Sequence, residues 1–214
     1  SSMCLCLDWY PFAPSIAVGL SDGSISVTSF AESGMVKAGE WQAHGYEVWA
    51  ASFDTHLLHL LYTGSDDCRF CGWDLRENPS RAVFQNSKVH KMGICCISKG
   101  PGDPYSVVTG SYDENLRVWD VRSLSKPISQ TSICLGGGIW RIKHHPYASD
   151  VLLAACMHNG FAIVKIEERI TLLETYNNRE SLAYGADWQK NGSGNGSLVA
   201  TCSFYDRLLR VWKP

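Results

Sequence analysis

Four short stretches carry residue types that can do chemistry. Cys68-x-x-Cys71 has the spacing of a thiolate pair for a metal or for redox exchange. No second Cys-x-x-Cys or His pair stands at zinc spacing, however, and in a strand residues three apart point to opposite faces. The nine cysteines are odd in number and scattered, which reads as reduced structural thiols and no metal site. GLSDG, Gly19 to Gly23, matches G-x-S-x-G. A nucleophile elbow needs a strand followed by a helix, and here the alternating pattern SISVTSF follows, so Ser21 reads as a hairpin-turn residue. GGGIWRIKHHP, Gly136 to Pro146, sets three glycines before Trp140, Arg141 and the pair His144 and His145. A guanidinium can hold a carboxylate or an oxyanion. CMHNG, finally, offers His158, an imidazole able to take a proton from water near neutral pH.

What positions these groups is set by composition and periodicity. With 45% apolar and 19% charged residues in 214, the chain can bury a substantial core. Its net charge is −2 and it has no Lys/Arg run, which argues against a nucleic-acid role and for protein or small-molecule partners. The longest apolar runs, such as Val151 to Met157, are too short to span a bilayer. With no charged-then-apolar leader opening the chain, the expectation is a cytoplasmic protein without a membrane partner.

A repeat organises the whole chain. GLSDGSISVTSF, TGSDDCRFCGWD, TGSYDENLRVWD, CMHNGFAIVKI and SFYDRLLRVWK each combine an apolar lead-in, a tight turn and an alternating strand. The turn residues Asp22, Asp67, Asp113, Asn159 and Asp206 are spaced 45, 46, 46 and 47 apart. Trp73, Trp119 and Trp212 each follow their aspartate by six. Asp, Asn and Gly suit such turns because they tolerate positive φ and bond their own backbone. SISVTSF and LRVW alternate with the period of a half-buried strand. The fold class is all-β.

A period near 45 with Trp-Asp closing a strand resembles the blades of WD40 β-propellers. That resemblance implies about five blades present of an expected seven, in one domain over 1–214, with boundaries near 1–40, 41–86, 87–132, 133–178 and 179–214. It also implies N-terminal blades missing from this chain. His44 precedes Asp67, and His90 precedes Asp113, by 23 residues. In such blades a histidine before the innermost strand bonds the turn aspartate, which reaches a hydroxyl and the strand tryptophan. The resemblance therefore makes His44, Asp67, Thr63 and Trp73, then His90, Asp113, Thr109 and Trp119, structural, along with Asp206 and Trp212. The fourth repeat departs, with Leu135 and Asn159 at the histidine and aspartate positions. Aligning the repeats puts Trp49, Cys95, Trp140 and Tyr184 at one level near the mouth of the central channel.

WQAHGYEVWAASF, HKMGICCI, GSYDENLRVWD, GGGIWRIKHHP, LLAACMHNGF, SLAYGADW and ATCSFYD, in that order, resemble the WD-repeat family of diphthamide biosynthesis that hydrolyses diphthine methyl ester. Relatives can carry a long insertion where this chain has only QKNGSGNGS. The resemblance implies a carboxylesterase that needs no cofactor and acts on translation elongation factor 2, in the company of other diphthamide-pathway proteins. The substrate side chain carries a trimethylammonium group, which suits an aromatic cage. Trp49, Trp140 and Tyr184, with Tyr112, Phe204 and Tyr205, are the expected binding residues. His158 is the expected base for water, and Arg141 the group holding the oxyanion or the partner's carboxylates. A non-catalytic WD40 scaffold for protein partners is the alternative.

Overall fold

The computed structural model describes residues 2–77, 81–177, 181–190 and 197–214, so most of the Gly/Ser/Asn-rich connection lies outside the described residues. Strands β1 (Cys4–Trp9), β2 (Ser15–Leu20), β3 (Ser24–Ala31) and β4 (Gly34–Gln42) form the first sheet. The second holds β5 (Val48–Phe53), β6 (Leu60–Ser65), β7 (Phe70–Asp74) and β8 (Phe84–Asn86). The third holds β9 (Ile94–Ser98), β10 (Ser106–Ser111), β11 (Asn115–Asp120) and β12 (Ile128–Cys134). The fourth holds β13 (Arg141–His144), β14 (Val151–Ala155), β15 (Phe161–Ile166) and β16 (Ile170–Tyr176), and the fifth β17 (Ala183–Trp188), β18 (Val199–Ser203) and β19 (Leu209–Trp212). Every sheet is an antiparallel meander in chain order.

The repeated turn residues join the second and third strands of each sheet. Asp22, Asp67, Asp113 and Asp206 accept a bond from the backbone N–H two residues on, at 3.0, 3.0, 3.1 and 3.3 Å. A carboxylate that satisfies its own turn in this way fixes where each hairpin reverses. GLSDG is one of these hairpins, with Gly23 at φ 87°.

The sheets pack face to face, with one apolar core between each consecutive pair. Alternation along a strand sends neighbouring residues into different cores. In β14, Leu152 and Ala154 join the core shared with the third sheet, while Leu153 and Ala155 join that shared with the fifth. This corrects the half-buried reading of LRVW in the third repeat. Leu116, Val118 and Trp119 are all buried because β11 is covered on both faces, the environment that continuous apolar strands require.

The sheets approach closely through a repeated notch. A Cβ on Gly64 would sit 2.5 Å from Cγ2 of Ile94, and one on Gly110 would sit 2.6 Å from Cγ2 of Ile139. Each glycine thus leaves room for a branched side chain opening the next blade's inner strand. At the last interface, the register puts Ala155 and Ala183 at the corresponding positions, in one core.

Candidate functional site

The innermost strands β1, β5, β9, β13 and β17 together line a channel cavity of about 710 Å³. Near its mouth the ladders of β1, β5, β9 and β17 skip one residue: Leu5, Trp49, Cys95 and Tyr184. Trp140 precedes β13 at the same level and bonds Ala155 through its backbone N–H at 2.9 Å. A bulge re-aims the extra side chain away from the regular pleat. The aligned positions are therefore brought together, and the bulge is the reason.

From Trp49 a continuous run of rings follows. Trp49 lies 5.5 Å from Trp140, Trp140 lies 6.0 Å from Tyr112 and 5.2 Å from Tyr184, and Tyr184, Phe204 and Tyr205 continue at 5.4 and 5.2 Å. Trp140 is buried rather than open on the rim, because its face is covered by Tyr112 and Tyr184. The accessible part of the run is Tyr184, Phe204 and Tyr205. The indole nitrogens of Trp49 and Trp140 are buried with no hydrogen-bond partner among the described residues. Arg141 stands 5.9 Å over the Trp140 ring and lines the channel. His158 is exposed in the β14–β15 turn and is not a channel-lining residue, so the two residues expected to share catalysis are not brought together there.

Deeper in the channel stand groups that the sequence reading passed over. Asp8 accepts a bond from the Phe53 N–H at 2.8 Å, and burial raises its carboxyl above the usual range against the pull of that bond and of Lys143. Lys143 faces Asp187 at 3.8 Å. The signal was the repeated Asp-Trp at 8–9 and 187–188, which falls at one level of the inner strands. The channel thiols are poor nucleophiles. Burial pushes Cys6 and Cys96 up to about 12, and their Sγ atoms donate to the Val48 and Ile139 carbonyls at 3.4 Å each.

The structural residues form closed networks in two blades. Asp67 meets His44 Nδ1 at 3.1 Å, His44 Nε2 meets Thr63 Oγ1 at 2.7 Å, and Trp73 Nε1 donates to the same hydroxyl at 2.8 Å. The hydroxyl is thus bonded by the histidine rather than by the aspartate. In the third blade Arg117 intervenes, donating to Asp113 at 2.8 Å and to His90 Nδ1 at 3.1 Å. A guanidinium only donates, so His90 keeps its proton on Nε2 and donates to Thr109 at 2.8 Å, where Trp119 Nε1 also donates. Burial lowers the His90 pKa, consistent with a neutral ring. Asp206 is bonded by Ser203, and Trp212 Nε1 reaches Thr201 at 3.2 Å. In the fourth blade Asn159 donates to the Leu135 carbonyl instead. Among the described residues no three His, Cys, Asp or Glu side chains gather as a metal ligand set.

Comparison with known proteins fits this geometry. The model described as WD domain, G-beta repeat matches residues 82–120, which include His90, Asp113 and Trp119. A protein of Dictyostelium discoideum named diphthine methyltransferase homolog is 35% identical over 98% of the chain. Diphthine methyltransferases of Homo sapiens and Schizosaccharomyces pombe are 43% and 31% identical over 71% and 100% of it. The chain spans 62%, 34% and 64% of those three relatives, less than two thirds in each case. A chain in the crystal structure of the mitotic checkpoint complex matches its fold with a TM-score of 0.82 at 16% identity, over 98% of this chain and 62% of that one. The chain is a WD40-repeat β-propeller protein and a homologue of the diphthine methyltransferases.

Proposed function

We propose that the chain belongs to an ester hydrolase of diphthamide biosynthesis, acting in the cytoplasm on over-methylated diphthine of translation elongation factor 2 and needing no cofactor. The names of its relatives support the pathway. The observation that carries the chemistry is the mouth of the channel, where exposed Tyr184, Phe204 and Tyr205 continue a run of rings to Trp140, which packs against the channel-lining guanidinium of Arg141. Aromatic faces attract a quaternary ammonium. A guanidinium stabilises the oxygen of an ester carbonyl as it gains charge. Because the nearby thiols are held protonated, water is the nucleophile this site favours. His158 remains the acceptor suggested by the sequence, reaching the reaction only from its exposed turn.

The test uses the full-length protein and elongation factor 2 bearing the ester. Hydrolysis releases one methanol per ester, whereas transfer from a methyl donor, the chemistry in the relatives' name, adds a methyl and releases none. Stable binding without either reaction would leave the scaffold reading. Replacing Trp140 by Ala weakens substrate use by about 1–2 kcal/mol if the rings hold the cation. Tyr184→Ala is the cleaner variant, since its half-exposed ring leaves no buried cavity.

A further inference from the structure

We infer that Asp8 is the proton acceptor that activates water in the channel, with Arg141 holding the developing oxyanion; this rests on the hydrolase reading above. Three observations converge on it. Asp8 lines the cavity that all five inner strands share, whereas His158 lies outside it. Its Oδ2 is tied down by the Phe53 N–H at 2.8 Å, which fixes the carboxylate in the cavity wall. Arg141 corresponds in register to Cys6, two residues along β1 from Asp8 and on the same face. That spacing is about 7 Å of strand rise, within the span of an arginine side chain. Both charges act on the Cys6 thiol, Arg141 lowering and Asp8 raising its pKa.

The step balances without a co-reactant. Oδ1 of Asp8 takes one proton from water as the water oxygen bonds to the ester carbonyl carbon, and the carbonyl electron pair moves onto the oxygen facing Arg141. The tetrahedral intermediate collapses, the carbon–methoxy bond breaks, and the methoxide leaves with the proton from Asp8 as methanol. The carboxylic acid formed then ionises to water. Burial helps, because a carboxylate with a raised pKa is a stronger base than one in free solution.

Besides cysteines, the titratable and charged side chains lining the two cavities that Asp8 lines are Lys99, Arg141, Lys143, His144 and Asp187. Lys143 acts on Asp8 against the burial and draws its pKa back down.

The experiment is Asp8→Asn in the full-length protein, assayed for methanol from ester-bearing elongation factor 2. Asparagine keeps an acceptor for the Phe53 N–H, so thermal melting should stay close to wild type. The expected result is a loss in kcat of about 10²- to 10⁴-fold with KM little changed. Asp8→Glu should recover part of the rate. Wild-type activity should fall on acidification through a single ionisation lying above the ordinary aspartate value of about 3.9. An active wild type whose Asp8→Asn variant keeps kcat within about threefold overturns the assignment. So does a wild-type profile with no acidic limb, a readout that holds even if the variant fails to fold. An inactive wild type would instead overturn the hydrolase reading itself.

Discussion

The tetrapeptide Leu-Arg-Val-Trp occurs twice, in β11 at 116–119 and in β19 at 209–212. In both places it is a strand, and in both its tryptophan donates to a threonine hydroxyl on the neighbouring strand. Their surroundings differ completely. Leu116 and Val118 are 0% and 2% exposed, whereas Leu209 and Val211 are 69% and 64% exposed. Arg117 is drawn inward onto Asp113, while Arg210 donates to the Tyr176 hydroxyl and lies 5.6 Å over its ring. Local sequence determines strand, pairing and the indole bond. The energetic worth of the same side chains is decided by whether another sheet lies across them.

This contrast can be broken by measurement, beginning with the largest effect. Leu116→Ala should cost about 2–5 kcal/mol in chemical denaturation, the range for a buried leucine. A value near zero would mean that the third and fourth sheets are not packed as described. Thr109→Val removes the acceptor shared by His90 and Trp119 and should cost about 2 kcal/mol, because it strands buried donors. Thr201→Val should cost less, since its single indole bond is longer and partly exposed.

Acid sharpens the comparison next. Burial raises the Asp113 pKa, but bonds from Arg117 and the Lys91 N–H outweigh it and hold the carboxyl far below the usual range. A depressed carboxyl contributes stability that is present above the unfolded value of about 3.9 and lost as pH falls below it. Asp113→Asn should therefore flatten the loss of stability below about pH 4, measured by denaturant midpoints across pH. An unchanged slope would sink the network's electrostatic role. Smallest of all, Leu209→Ala should stay within about 0.5 kcal/mol in this chain; a larger loss would show β19 covered in solution.

The same division explains what the sequence disclosed. Asp22, Asp67, Asp113 and Asp206 were legible because each satisfies its own turn within a few residues. The members of the His–Thr–Trp networks were legible through the resemblance to WD40 blades, although Arg117 was not, since its place between Asp113 and His90 depends on how β11 faces the preceding loop. Burial of Trp140 could not be read from its own repeat, because Tyr112 and Tyr184, which cover it, come from two other blades. Asp8 was missed for a related reason: the Asp-Trp repeated at 8–9 and 187–188 acquires meaning only when the inner strands are set level around a cavity.

The notch between blades has its own consequence. Gly64 accepts Ile94 and Gly110 accepts Ile139, while Ala155 has only Ala183 opposite. These pairings set the last junction apart from the two before it. A blade shuffled by recombination would bring a branched side chain against an alanine, or leave a void beside a glycine. Repeats can therefore be exchanged between the Gly–Ile junctions more readily than into the Ala–Ala one.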